Sequence, residues 1–266
     1  MQTAAAVMEL KQSTLEEIVE SERQLLIDAD ARYGKYYRHA RACSVFLSRA
    51  IISVNHDRMM FGRLFSLLKK HHMLALLSTL RLHKVQSMMN LRQVLEASAA
   101  AAFAIANPEL EHFAETDAAG ILDPTQELTR KRYRWLATHC RASSDALKAK
   151  KELINNMAAH ANIVTTDQTF RVNEGGDMID APFFDLEDEY FVKGDLWLMS
   201  SIAIEVLDLL YGVNKDRNVI EFIPEFEAHF TGMARGNQAL HAEMTSTDRY
   251  RRAMDKMQKP PLTAAS

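Results

Sequence analysis

Glycine and proline are both scarce in this sequence, nine and six residues in 266. Chains built from many short strands need turn residues every few positions, so the scarcity points to long helices. Cysteine is nearly absent as well: Cys43 and Cys140 stand far apart, with no Cys-x-x-Cys pair. That excludes a disulfide framework and a cysteine-based zinc site, and a reducing compartment is expected. No stretch approaches the ~20 apolar residues of a membrane helix. The longest near-apolar runs are Ala97–Ala106 and Leu196–Ala203, each broken by serine. The first eleven residues lack a basic segment followed by an apolar one, the pattern of a secretory signal. The expectation is a cytoplasmic protein that makes no use of a membrane.

Most patterns that carry chemistry are also missing. There is no glycine-rich phosphate loop; Glu174-Gly175-Gly176-Asp177 reads as a hairpin turn. There is no Gly-x-Ser-x-Gly. One Glu-x-x-His occurs, Glu109–His112, whereas a di-iron carboxylate bundle needs two such motifs and two further glutamates. His71 and His72 are adjacent and point to different sides of a helix, a poor chelate. No metal site and no cofactor are implied.

What remains is an ordinary globular composition, 47% hydrophobic and 25% charged, with 14 methionines suited to filling gaps between helices. The pattern predicts helices over about 14–32, 36–55, 58–82 and 84–106, with Ser13 and Glu16 at capping-box spacing and Pro108 closing the series. Asp123-Pro124 opens the next helix, which runs towards His160 and breaks near Ser143-Ser144-Asp145. A short β-hairpin is expected near 167–180, its strands flanking Gly175-Gly176. Gly194-Asp195 then caps the most apolar helix, Leu196–Tyr211, ended by Gly212 and placed mid-bundle by its near-continuous apolarity. Helices over about 219–231 and 236–257 follow. The fold class is therefore mainly all-α: a multi-helix bundle with one hairpin insertion, a single domain over 1–266. Its core covers about 36–212, its C-terminal helices 219–257, and its tail 258–266 reads as mobile.

Charge is unevenly placed along a chain whose net charge is only −3. Between 130 and 151 lie Arg130, Lys131, Arg132, Arg134, Arg141, Lys148, Lys150 and Lys151 against Asp145 alone. Between 174 and 195 lie eight acidic residues against Lys193. The basic run is either a solvated helix face or a phosphate-binding one, with Tyr133 and Trp135 available for stacking. An acidic arm lying over the basic helix would be autoinhibitory. Arg92 and Glu96, four apart, share a helix face with Met88, Leu95, Ala99 and Phe103. A charged pair on a core stripe is a buried structural pair or part of a site. Asn155, Asn156 and His160 form a third group: Asn156 and His160 lie one turn apart, and a histidine there is either structural or a general acid–base. The methionines Met59, Met60, Met73, Met88 and Met89 suit a homodimer interface or a core.

Two of these segments carry a resemblance. Leu91-Arg92-Gln93-Val94-Leu95-Glu96-Ala97, the alanine-rich stretch after it and Ala106-Asn107-Pro108-Glu109 resemble a helix of a bacterial helical family grouped with HEPN-like domains. A later helix of that family ends in a small-residue run with a histidine, similar to Asn155–His160. The likeness spans residues 60–212. It implies a four-helix HEPN-like core that often dimerises, an RNA or protein partner, and a defence or toxin–antitoxin setting. Active HEPN members cleave RNA without metal through Arg-x4–6-His, two motifs meeting across a dimer. Here Asn155 stands where the arginine would be, so the cation that would stabilise the transition state is missing. Arg134/His139 satisfies the same spacing within the basic run.

Three readings follow. The first is a non-catalytic or weakly catalytic bundle that binds RNA or a protein. The second is an adaptor docking through the acidic 174–195 segment. The third is a metal-independent endoribonuclease using His160 or His139.

Overall fold

A computed structural model describes residues 9–11, 13–158, 171–172, 178–180, 183–185 and 188–252. Its helices are α1 (Leu15–Ile27), α2 (Ala29–Tyr33), α3 (Lys35–Arg49), α4 (Met59–Leu80), α5 (Lys84–Ala106), α6 (Gln126–His139), α7 (Arg141–Ala158), α8 (Glu189–Asn214) and α9 (Phe226–Thr245). The strands are short: β1 (Glu9–Lys11), β2 (Ile51–Val54), β3 (Glu115–Thr116), β4 (Leu122–Asp123), β5 (Arg171–Val172), β6 (Met178–Asp180) and β7 (Ile220–Phe222). The protein is a mainly all-α multi-helix bundle with a short hairpin. β5 and β6 pair antiparallel at Arg171↔Asp180 and Val172↔Ile179, and β1 adds in parallel to β6. The tail beyond 252 lies outside the described residues.

α8 runs through the middle, packed against α3, α4, α5, α7 and α9. Leu196, Met199, Ile202, Val206 and Leu210 on it are fully buried. Burying a leucine or isoleucine side chain contributes roughly 1.5–3 kcal/mol, so this one helix anchors much of the core. It is longer than its apolar run. Asp188, not Gly194-Asp195, caps it by accepting from Tyr190 N at 3.0 Å, and Arg249 holds Asp188 from outside through contacts of 2.9 and 2.5 Å. Gly212 lies inside it. α8 is 26 residues long and an 18-residue stretch of it reaches a mean hydropathy of 1.6, enough by length and composition to cross a membrane, but 67% of that stretch is buried inside the protein.

α4 and α5 form an antiparallel hairpin. The alanines of α5, from Ala97 to Ala104, are buried because small side chains let neighbouring helices approach closely. The turn between them is a Schellman motif: His83 N donates to Ser78 O at 2.9 Å and Leu82 N to Thr79 O at 3.1 Å. Leu82 occupies the left-handed position, φ 59°, that usually selects glycine.

Several predicted boundaries shift for identifiable reasons. The capping box uses Thr14 and Glu17, one residue later than Ser13 and Glu16. The first helix breaks at Asp28. The helix predicted to 55 stops at Arg49, because Ile51, Ile52 and Val54 are β-branched and the segment pairs with Ile220–Phe222 across the fold. The predicted helix over 219–231 is instead β7 followed by the start of α9, which runs on to Thr245, and the described residues 248–252 are helical again. Asn214, 6% exposed, shapes the turn into β7: its Oδ1 accepts from Val219 N and Ile220 N, each at 2.9 Å, and its Nδ2 donates to Ile220 O at 2.8 Å. Gly236, where the predicted helix over 236–257 would begin, lies inside a continuous one. It sits inside α9 where a Cβ would lie 3.0 Å from the His39 ring.

His72 ties three helices together. Fully buried, it holds Met199 O on α8 at 3.2 Å through Nε2 and faces the Ser44 hydroxyl of α3 at 3.2 Å through Nδ1. A carbonyl only accepts, so the proton is on Nε2. Burial pushes this imidazole down to about 4. His71 turns the other way, to Asn90 Oδ1 at 2.7 Å. The methionines do not form one face: Met88 is in the core, while Met59 and Met89 are more than half exposed.

Candidate nucleic-acid interface

The basic run is not one helix. α6 ends at Cys140, one turn before the predicted break, and α7 starts at once with Arg141. On the inner side Leu136, Leu147 and Ile154 are buried in the core. On the outer side the two helices and α5 enclose a cleft of about 570 Å³, lined by Tyr133, Arg134, Arg141, Ser144, Lys148 and Lys151 among others. Ligand clefts commonly measure about 300–1,000 Å³.

The cations of this cleft differ in availability. Arg134 is exposed and has no ion pair among the described residues. Arg141 leans on Asp145 at 3.2 Å and Lys148 on Glu152 at 4.0 Å, both pairs largely exposed and so of small worth. Lys151 donates to Glu96 Oε1 at 2.7 Å and sits 5.4 Å from the Tyr133 ring centre. Arg92 Nε reaches the same oxygen at 3.2 Å. Burial alone would push the Glu96 carboxyl up, but hydrogen bonds and charges from Lys151 and Arg92 outweigh it and hold it below its usual value. The predicted pair Arg92–Glu96 is therefore not a buried core pair. The two side chains are 42% and 34% exposed, at the rim of α5, where Lys151 joins them into a triad.

The other basic residues turn away. Arg132 is half-buried over Phe113 at 5.6 Å, with its guanidinium towards His112 O, and burial lowers its pKa. Lys131 points to His112 Nδ1 at 3.4 Å. Arg130 is exposed on α6 outside the cleft lining. Lys150 leaves the basic face altogether, bonding Glu205 at 3.2 Å and Ser201 at 3.1 Å on α8. Trp135 is not free for stacking: it packs edge-on against Phe103 and carries His139 stacked on its other side at 4.7 Å. Tyr133 alone lines the cleft.

Asn155 is half-buried with an Oδ1 that finds no partner among the described residues, Asn156 is exposed, and His160 lies outside the described residues. The acidic segment is engaged elsewhere as far as it is described. Asp185 accepts from Lys84 N at 2.6 Å, Asp188 binds Arg249, and Asp195 lies 3.8 Å from Lys84. None of these three touches the basic cleft. Burial pushes the Asp195 carboxyl up to about 6, the Lys84 charge opposing it. Among the described residues no cluster of three or more His, Cys, Asp or Glu side chains is arranged to hold a metal ion.

One group escaped the sequence reading. Arg38, Arg41 and Arg49 stand on one side of α3 with Ala42 and Val45 between them, lining a groove of about 520 Å³. Their i, i+3, i+11 spacing was available, but no contiguous charge run marked it.

No family model, no curated protein and no solved structure matches the chain. The functional reading rests on its own residues.

Proposed function

We propose that the chain is a HEPN-like helical bundle that binds single-stranded RNA in the cleft between α5, α6 and α7 and does not cleave it. The observation that carries this reading is the convergence of Arg134, Arg141, Lys148 and Lys151 on one cleft beside Tyr133, with Arg134 free of any ion pair among the described residues. Guanidinium and ammonium groups neutralise phosphates, and an aromatic ring offers a base a stacking surface. The absence of cleavage follows from Asn155 in the arginine's place: a neutral amide offers no compensating charge to a phosphorane-like transition state.

The test is fluorescence anisotropy of a labelled oligouridine titrated with the full chain over a salt series. Single strands lose affinity with a log–log slope of about −0.7 per phosphate contact, so three or four contacts predict a slope of roughly −2 to −3. No binding at about 50 mM salt would sink the proposal. RNA recovered from the titration should be intact on a denaturing gel. Cleavage that disappears in His160→Ala would restore the nuclease reading instead.

A further inference from the structure

The α3 groove and the exposed half of helix α1 are complementary surfaces. The groove has an apolar floor, Val45, Phe46, Ile223 and Met233, beneath Arg38, Arg41 and Arg49. No carboxylate lines it. Arg38 is held by Asp30 at 2.8 Å, while Arg41 and Arg49 have no ion pair among the described residues. Val45 is 39% exposed in the middle of the groove.

α1 has the opposite character. It carries Glu16, Glu17, Glu20 and Glu22 against Arg23, and none of its residues is buried. Its apolar stripe runs along one side, Leu15, Val19 and Leu26. Leu25 and Leu26 rest on the core, and Glu22 is fastened to His83 at 3.0 Å. The stripe therefore overshoots its own body: Leu15 is 69% and Val19 56% exposed. Glu16 and Glu20 flank this overhang. The Glu22 fastening holds α1 against the α4–α5 turn, so the helix is not free to swing onto its own α3.

We infer that the α3 groove receives the overhanging half of α1 from a second copy of this chain, giving a dimer with α1 exchanged reciprocally. Leu15 and Val19 would cover Val45 and the groove floor, and Glu16 and Glu20 would face Arg41 and Arg49. Exchange about a two-fold axis closes the assembly at two copies, whereas the same helix-to-groove contact without that axis would run on as an open chain. The apolar floor favours this occupant over a nucleic-acid strand, which would leave Val45 and Met233 without an apolar partner. The contact is separate from the α6–α7 cleft.

Sedimentation equilibrium of the full chain tests it, with Arg41→Glu/Arg49→Glu, Glu16→Arg/Glu20→Arg and the combined four-fold variant. All four positions are exposed, and far-UV circular dichroism confirms that each variant keeps its helices. The wild type should be a dimer. Each charge reversal should raise the dimer Kd at least about tenfold, and the combined variant should recover it. A second variant, Val45→Glu, should also give monomer. A monomeric wild type overturns the inference, as does a dimer unaffected by both reversals. Loss of RNA binding in Arg41→Glu/Arg49→Glu without change in oligomeric state overturns it too, and would reassign the groove to nucleic acid.

Discussion

Lys151 Nζ lies 2.7 Å from Glu96 Oε1, so one cation of the α6–α7 cleft is already committed to a carboxylate of the neighbouring helix α5. Arg92 shares that oxygen. The cleft therefore holds an internal competitor for phosphate. Glu96→Gln should release Lys151 and tighten RNA binding a few-fold, matching the ~0.2–1 kcal/mol typical of a part-exposed ion pair. Thermal stability should fall by no more than a similar amount. Anisotropy and a melting curve on the same sample check both; weaker binding would show that Lys151 does not face the ligand.

Arg134 has no competing carboxylate among the described residues. Arg134→Ala should weaken oligouridine binding and make the log–log salt slope shallower by about 0.7, the loss of one phosphate contact. Arg132→Ala should leave the slope unchanged, because that guanidinium packs over Phe113. A slope that responds to Arg132 and not to Arg134 would place the RNA on the other side of α6.

Two buried titratable groups set opposing pH dependences. His72 is depressed to about 4, so the unfolded chain binds its proton first. Its contribution is fully present above the unfolded value near 6.5 and is lost as pH falls towards 4, on the order of 3 kcal/mol in all. Asp195 is raised to about 6, so the folded chain binds its proton first. It adds stability as pH falls from about 6 towards the unfolded value near 3.9. The two partly cancel between pH 6 and 4. Asp195→Asn removes the second effect. It should be more stable at pH 7 by on the order of 1 kcal/mol, because the raised carboxyl means the ionised form is disfavoured in the fold even with Lys84 beside it. It should also lose stability more steeply on acidification. Urea unfolding at three pH values measures this, and a variant with the wild-type slope would contradict it.

Asn214 joins the end of α8 to β7 through three hydrogen bonds in a buried site. Asn214→Ala leaves two N–H groups and a carbonyl without partners and should cost about 2–4 kcal/mol. Asn214→Asp keeps both acceptor contacts but sets a carboxylate oxygen against Ile220 O, so its cost should fall at acid pH, where the protonated carboxyl can donate. Equal losses in the two variants at acid pH would mean that the turn is held by its backbone alone.

Gly236→Ala sets helix propensity against packing. Alanine gains about 1 kcal/mol in a helix interior, but its Cβ would meet the His39 ring at 3.0 Å. Cys43 Sγ lies 3.5 Å from Nε2 of the same ring and restricts its movement. The expected net effect is a loss of about 1 kcal/mol. In a His39→Ala background the same change should become stabilising, and chemical denaturation of the four proteins completes the double-mutant cycle.

The helices were legible because their causes are local. Scarce glycine and proline, the Thr14–Glu17 region, Pro108 and the apolar run at 196–211 all act within a few residues of themselves. The hairpin was legible too, in which Arg171-Val172 pairs with Ile179-Asp180. What the sequence could not decide were the long-range choices. Ile51–Val54 became a strand because Ile220–Phe222 lay beside it, and α8 began at Asp188 because Arg249 waited there. The basic run shows the same division. Its charge was written in the sequence, but two helices meeting at Cys140 decided which cations share a cleft, sending Lys150 to Glu205 and Arg132 to Phe113. Composition and periodicity determine which segments are helical, since backbone preference and amphipathic spacing are properties of neighbours. Only the tertiary structure decides which charges remain unpaired, because pairing depends on side chains from residues tens of positions away.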